Sequence, residues 1–292
     1  MAVSHADLAL IEPATRPKVT RTWAAVRAHL LAPIRGAAYL SPFLITGALY
    51  ELLRGVFRRH GSVHVADLAA LEARLFSVAT AQGPRPLSEL IARHANVWLD
   101  VWCGATYFLF LVEIVGVSVY LLFRGARSKA LELSVGFLVV NLLGWLVWVC
   151  YPAAPPWYVD QYGLQSAVSD VVSSPAGLLR FDALLGVPFA SAFYAKSADV
   201  FGAVPSLHVA YATLVVCVLG SLAGRLRLAA LGFALSMAFS AVYLRHHYIV
   251  DVVAGALLAI VVALGMRAVR RLAARQPIAV CPPRASFLGD RA

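Results

Sequence analysis

The sequence predicts an all-α fold: a six-transmembrane helical bundle with amphipathic and interfacial helices on its outer face. Three observations predict it. Of 292 residues, 61% are hydrophobic and only 14% charged, a balance too apolar for an ordinary soluble domain. Several apolar stretches reach the roughly 20 helical residues needed to cross about 30 Å of hydrocarbon. The basic residues sit in short connections and tails beside those stretches, as membrane topology requires, so the net charge of +10 does not point to a nucleic-acid partner.

Taken in order, the spans are read at 36–57, 99–123, 131–152, 205–222, 227–244 and 248–268. The first carries Glu51 and Arg54 near its end and is the least cleanly apolar. Residues 1–35 form a basic segment (Arg16, Lys18, Arg21, Arg27, Arg35) without a cleavable signal pattern, so the first span is expected to direct its own insertion. Arg124, Arg127 and Lys129 lie between the second and third spans, and Arg225 and Arg227 between the fourth and fifth. Arg267, Arg270, Arg271, Arg275 and Arg284 follow the sixth. If the spans alternate, all of these share one side, which places both termini in the cytoplasm of a multi-pass cell-membrane protein. Arg58 and Arg59 then lie outside, against the rule. The membrane domain is read as 36–270 and the cytoplasmic tail as 271–292, disordered from Gln276.

The outer face receives the connections at about 58–98, 153–204 and 245–247. Val65, Leu68, Leu71, Leu75 and Phe76 recur at helical spacing with Glu72 and Arg74 on the other side, an amphipathic helix expected to lie on the membrane surface. Gly177 to Tyr194 is apolar but interrupted by Arg180, Asp182, Gly186 and Pro188, and reads as interfacial or re-entrant. Cys103, Cys150 and Cys217 fall in or beside apolar segments, where cysteine behaves as a small hydrophobe. No CxxC pair or metal-ligand spacing is present, so no disulfide, metal or cofactor is expected.

Two segments carry chemistry, both at the outer starts of spans. Pro205-Ser206-Leu207-His208 opens the fourth. Proline suits a first helical turn, whose free amides and positive dipole end attract anions, with Ser206 and His208 nearby. The alternative is a capped helix with a histidine at the interface. Arg245-His246-His247-Tyr248-Ile249-Val250-Asp251 opens the sixth. His247 and Asp251 are four apart and, on one helix, would lie about 6 Å apart at Cβ. A carboxylate accepting the Nδ1 proton would leave Nε2 free as a nucleophile. An acid in an apolar span costs up to about 3 kcal/mol and needs a partner, and His247 is within reach. His246 is a secondary phosphate contact or an interfacial histidine. Arg245 is a phosphate clamp or a snorkelling anchor. Together the two histidines can perform phosphoryl transfer, one attacking phosphorus while the other protonates the leaving alkoxide.

On these residues the chain resembles the type 2 phosphatidic acid phosphatase superfamily. The runs GAVPSLH and HHYIVD, and Pro155-Pro156-Trp157-Tyr158 after the third span, are similar to its inositol phosphorylceramide synthase branch. The resemblance covers about residues 100 to 265 and implies that His247 is the nucleophile, Asp251 its partner and His208 the general acid. Ser206, Pro205, Arg245, His246, Tyr248 and Trp157 are the expected substrate contacts, although Trp157 could equally be part of a rigid aromatic exit from the membrane. The phosphatase arginine six residues before the nucleophile is replaced by Ala241, beside Ser240, and the Lys–Arg-Pro motif is missing. Arg245, Arg180 and Lys196 are the remaining cations that could hold phosphate. Glu51, Glu113, Asn141 and Tyr107 either line a headgroup cavity or bond neighbouring helices.

The expected function is a metal-independent lipid phosphotransferase that moves a phospho-headgroup, with phosphatidylinositol as donor, onto a lipid acceptor. Ceramide as acceptor is implied by the resemblance alone. A phosphatase, with water as acceptor and a phosphatidate or polyprenyl phosphate as substrate, stays open. A transporter would place ionisable groups near the midplane within repeated halves, whereas these cluster at helix starts on one face.

Overall fold

The structure is a computed structural model that describes residues 18–58, 62–165, 171–220 and 224–275, with side chains from residue 36 onward. The basic segment before residue 18, Arg59 and the tail from Gln276 lie outside the described residues. The long helices are α1 (Lys18–Phe57), α4 (Val97–Phe108), α5 (Phe110–Phe123), α6 (Arg127–Cys150), α10 (Leu207–Leu219), α11 (Gly224–Tyr243) and α12 (Ile249–Arg275). The short elements are α2 (Ala66–Leu75), a hairpin of β1 (Ser77–Val78) and β2 (Arg85–Pro86), α3 (Leu87–Arg93), α7 (Pro156–Tyr162), α8 (Leu178–Leu185) and α9 (Phe189–Tyr194).

Among the described residues four helices are long and apolar enough to cross a membrane: Gly36–Phe57 within α1, α6, α11 and α12. A fifth crossing exists if α4 and α5, bent by 52° at their junction, are one broken span. The second expected span is therefore not a straight helix. Asn96 caps its start by accepting from Leu99 N at 3.0 Å, and the chain bends at Leu109, directly after Tyr107 and Phe108.

The fourth expected span is also shorter than the sequence suggests. Helix α10 has 13 residues, about 20 Å at 1.5 Å per residue. It is the central helix, packed against α5, α6, α11 and α12, and Val209, Ala210, Leu214, Val215, Val218 and Leu219 are buried. A helix enclosed by protein has its length set by its neighbours rather than by bilayer thickness. Glycines let those neighbours close in. A Cβ at Gly144 would meet Leu207 Cδ2 at 2.6 Å, and one at Gly136 would meet Leu214 Cδ2 at 2.9 Å. At Gly255 of α12 a Cβ would lie 2.2 Å from the Ser206 carbonyl oxygen, so only glycine allows α12 to cross the start of α10 this tightly.

The charged ends of the bundle separate. Glu132, buried at the start of α6, is bound by Arg270 and, at 3.1 Å, by Lys129. Arg267 donates to the Cys217 carbonyl at the end of α10. This end holds the arginines of the connecting loops, and both histidine-bearing turns lie at the other end.

The amphipathic reading of α2 needs correction. Leu68 and Glu72 are both buried, while Leu71 and Leu75 are exposed. Glu72 is four residues from Leu68 and shares its face, and its carboxylate accepts from Val250 N at 3.2 Å. An acid at the free amides of a helix start is favoured by the dipole, so Glu72 turns inward onto α12. Residues 177–194 form two short helices, α8 and α9, in place of a seventh span. Asp182 of α8 accepts from Ala190 N at 2.7 Å and from Ser191 N at 2.9 Å, which caps α9.

Candidate active site

His208 stands on the first turn of α10, and His247 in the turn that joins α11 to α12. Their ring centroids are 6.0 Å apart. Reacting atoms approach to about 3–3.5 Å before bond formation, so a phosphorus atom fits between the two rings. His247 Nδ1 lies 2.8 Å from the Ala203 carbonyl oxygen. An N–H donated there leaves Nε2 as the unprotonated nitrogen.

This differs from the partner expected for His247. Asp251 Oδ2 is 3.8 Å from His247 Nδ1, beyond hydrogen-bond reach. The reason is local geometry: α12 begins at Ile249, so His247 precedes the helix and the four-residue spacing does not place both groups on one helical face. Asp251, fully buried, instead accepts from Tyr248 N at 2.8 Å, closing the α12 start as the acidic half of a capping box does. Its own carbonyl accepts from Ser206 N at 3.0 Å. Asp251 therefore ties the two histidine-bearing turns together, with its Oδ2 3.8 Å from His247 Nδ1.

The Ala203 carbonyl is itself held in place. His64, Ala153 and Gly202 form parallel bridges side by side. Ala154 N donates to His64 O at 3.0 Å, and Ala203 N donates to Ala153 O at 3.3 Å. Three chain segments far apart in sequence thus fix the acceptor that sets the His247 tautomer.

Aromatic rings hold the second histidine. Tyr107 stacks on His208 at 4.3 Å, with its hydroxyl 3.3 Å from His208 Nδ1. Phe110 meets the same imidazole edge-on at 4.6 Å. The other face of the column continues through His246, sandwiched between Tyr107 at 4.9 Å and Tyr194 at 4.8 Å, each 15° from parallel. Burial, and then the proximity of His247, push the His246 imidazole down to about 3. His246 is thus a neutral member of the stack.

Both histidines open onto a cavity of about 670 Å³. At the end near the histidines it is lined by Arg54, Lys196, Asp199, Trp157, Ser173 and His246; farther along it is lined by Phe43, Leu44, Gly47, Leu111, Val115 and Phe137. Glu51, Tyr107 and Asn141 also line it, as the headgroup-cavity alternative expects, but Glu113 does not. Asn141 accepts from Tyr211 at 2.8 Å across the bundle. Burial raises the Asp199 carboxyl to about 7.

Several expected contacts lie elsewhere. Arg245 adopts a left-handed backbone, φ +63°, and its guanidinium binds Asp160 through two bonds of 2.7 and 2.5 Å. It lines a separate pocket with Tyr248. Tyr248 packs with Leu68, Ala153 and Ala203. Arg180 donates to Asp100 at 2.8 Å and covers the Tyr243 ring. Pro205 and Ser206 are buried at the α10 start and do not line the cavity. Ala241, where the phosphatase arginine is missing, offers its carbonyl to His246 N and His247 N, both at 3.1 Å. The cations that do reach the cavity are Lys196 and Arg54, and Arg54 donates to Glu51 at 2.9 Å and to the Lys196 carbonyl at 2.6 Å. The sequence reading missed Arg54; its signal was a basic residue in the last turn of an apolar span.

Comparison with known proteins matches more than half of this chain. The model of the PAP2 superfamily matches residues 67–265. The phosphoinositol dihydroceramide synthase of Bacteroides thetaiotaomicron is 35% identical over 224 residues, 75% of this chain and 72% of that protein. The inositol phosphorylceramide synthase catalytic subunit aur1 of Schizosaccharomyces pombe is 35% identical over 176 residues, 60% of this chain. This chain covers 42% of that yeast protein, less than half its length. Among solved structures, Aquifex aeolicus LpxE superposes with a TM-score of 0.46 and 17% identity, over 62% of this chain and 93% of that one. The family match takes in both histidine-bearing turns and more than half of the sequence, and the chain belongs to the PAP2 superfamily.

Proposed function

We propose that this protein is a membrane-embedded transferase that moves phosphoinositol from phosphatidylinositol to the hydroxyl of a ceramide-type lipid, through a covalent intermediate on His247. The observation that carries the reading is the pair of imidazoles 6.0 Å apart at the head of a lipid-sized, largely apolar cavity. The names of the two synthases above supply the headgroup and the acceptor class.

In the first step His247 Nε2 attacks phosphorus, and the bond from phosphorus to the diacylglycerol oxygen breaks. His208 gives that oxygen its proton. In the second step the acceptor hydroxyl passes its proton to His208 while its oxygen attacks phosphorus, and the phosphorus–nitrogen bond returns its electron pair to His247. Arg54 and Lys196 supply positive charge at the cavity's outer end, where phosphoryl oxygens gather charge. The chemistry calls on no metal, so turnover is expected to continue in excess chelator.

The bundle is read as six crossings. The bent α4–α5 pair forms the second, and α10 completes the fourth within the shelter of its neighbours. The loop arginines face the cytoplasm, and the histidines open to the outer leaflet.

Purified protein in vesicles, given inositol-labelled phosphatidylinositol and ceramide, tests the activity. The reading expects the label in a second lipid; label released only as water-soluble inositol phosphate would make water the acceptor and overturn it, and no movement of label together with release of phosphate from phosphatidate would establish the phosphatase alternative.

A further inference from the structure

Helix α1 lies outside the residues matched by the family model, which begins at residue 67. Yet it supplies Phe43, Leu44, Thr46, Gly47, Tyr50, Glu51 and Arg54 to the cavity wall. The helix runs along α6 and meets α5 at few points. In the gap between α1 and α5 the cavity wall consists of Leu44, Gly47, Leu111 and Val115, and Leu44, Gly47 and Leu111 are exposed on the flank of the bundle. Leu44 is 76% exposed. Gly47 lies ten residues before Phe57, the outer end of α1, or about 15 Å along the helix axis. The opening therefore faces the side of the span, where the surrounding solvent is hydrocarbon.

We propose that this gap is a lateral portal and chain subsite: one hydrocarbon chain of a lipid substrate passes between α1 and α5 at Gly47. Its headgroup then lies at the Arg54–Lys196 end, beside the histidines. The proposal rests on the transferase reading for the identity of the headgroup. The subsite itself rests on the cavity, which is apolar at Phe43, Leu44, Leu111, Val115 and Phe137, carries Arg54 and Lys196 with Glu51 and Asp199 at its outer end, and is continuous between the two. A phospholipid or sphingolipid carries this same distribution of charge and hydrocarbon. Gly47 is the residue that keeps the gap open. A Cβ there meets nothing within 4 Å, so a larger side chain would enter empty space without pushing on the backbone. In mid-helix, replacing glycine removes a conformational cost, so Gly47→Leu is expected to fold.

Two measurements test the portal. Phosphatidylinositol and ceramide, each carrying a diazirine in its chain, are photolysed separately in vesicles with the full chain. At least one is expected to label residues 43–50 and 111–115, and Gly47→Leu should reduce that labelling at least fivefold. Ala48→Leu on the adjacent exposed, non-lining position should not. The two probes distinguish a donor chain from an acceptor chain. The second measurement varies chain length on one substrate at a time. Gly47→Leu should lower the ratio of long-chain to short-chain kcat/KM at least tenfold for the substrate whose probe labels the gap. Labelling spread evenly over other lipid-facing residues such as Leu146 and Val261, insensitive to Gly47→Leu, would overturn the portal whether or not the protein turns over. Gap-specific labelling in a protein that transfers no phosphoinositol would keep the portal and overturn the transferase reading.

Discussion

Tyr107 shows how much a single side chain can organise. It stacks on His208 with one face and on His246 with the other, and its hydroxyl is 3.3 Å from His208 Nδ1. Removing that hydroxyl keeps the stack but leaves His208 Nδ1 without this neighbour. Tyr107→Phe is expected to lower kcat about tenfold, worth about 1.4 kcal/mol, and to shift the alkaline limb of the pH–rate profile, which reports the acid His208, while the protein stays folded. An unchanged profile would reduce Tyr107 to packing. His246 makes a different prediction, about stability. Its imidazole falls from 6.5 in the unfolded chain to about 3 in the fold. Between those values the unfolded state binds the extra proton, so stability rises with pH through that window and is lost as pH falls. Thermal unfolding in detergent should therefore show a shallower loss toward acid in His246→Phe than in the parent.

Taken singly, each motif histidine had a bland alternative at a helix start; the sequence pointed to them as a pair because both open apolar helices at one face, and the structure brings their rings to 6.0 Å. The direction of a side chain in a turn was not legible. Arg245 follows the end of α11 in a left-handed conformation and points to Asp160, and spacing alone carries no trace of that. Asp251 was found as a partner of the site, but its hydrogen bond goes to Tyr248 N because the helix starts two residues after His247. Arg54 escaped because it is nearly 200 residues before His247, on a helix that reads as a plain anchor.

At the scale of elements, the site is built by close crossings. Gly255 places α12 against the Ser206 turn, and the Ser206 N to Asp251 O bond locks that crossing. Gly255→Leu would drive carbon into the Ser206 carbonyl, and overpacking of this kind costs about 1–3 kcal/mol. We expect lower thermal stability and a loss of activity larger than the stability loss accounts for, because His208 moves with the turn. Gly116→Ala on α5, where a Cβ meets nothing within 4 Å, should leave activity unchanged and should not lower stability. Hydropathy found the long helices well. It overextended α10, whose ends are set by the helices around it, and it could not register the bend at Leu109, where both halves remain apolar.

Across the whole molecule, the arginine-rich loops and the histidine-bearing turns occupy opposite ends of the bundle, and that polarity sets which leaflet supplies the lipids. In a variant with its four cysteines replaced, a cysteine at exposed Gln161 should react with an impermeant maleimide in intact cells. One at exposed Arg124 should react only after lysis. The reverse pattern would invert the topology and move the chemistry to the cytoplasmic leaflet.

The central claim is that His247 carries the transferred group. Protein mixed with inositol-labelled phosphatidylinositol, with no acceptor lipid present, and quenched in alkaline denaturant should hold label on the chain that is stable in base and released by acid. That label should be lost with His247→Ala, together with turnover. Turnover near the parent rate in His247→Ala, or an adduct that persists in it, would contradict the account.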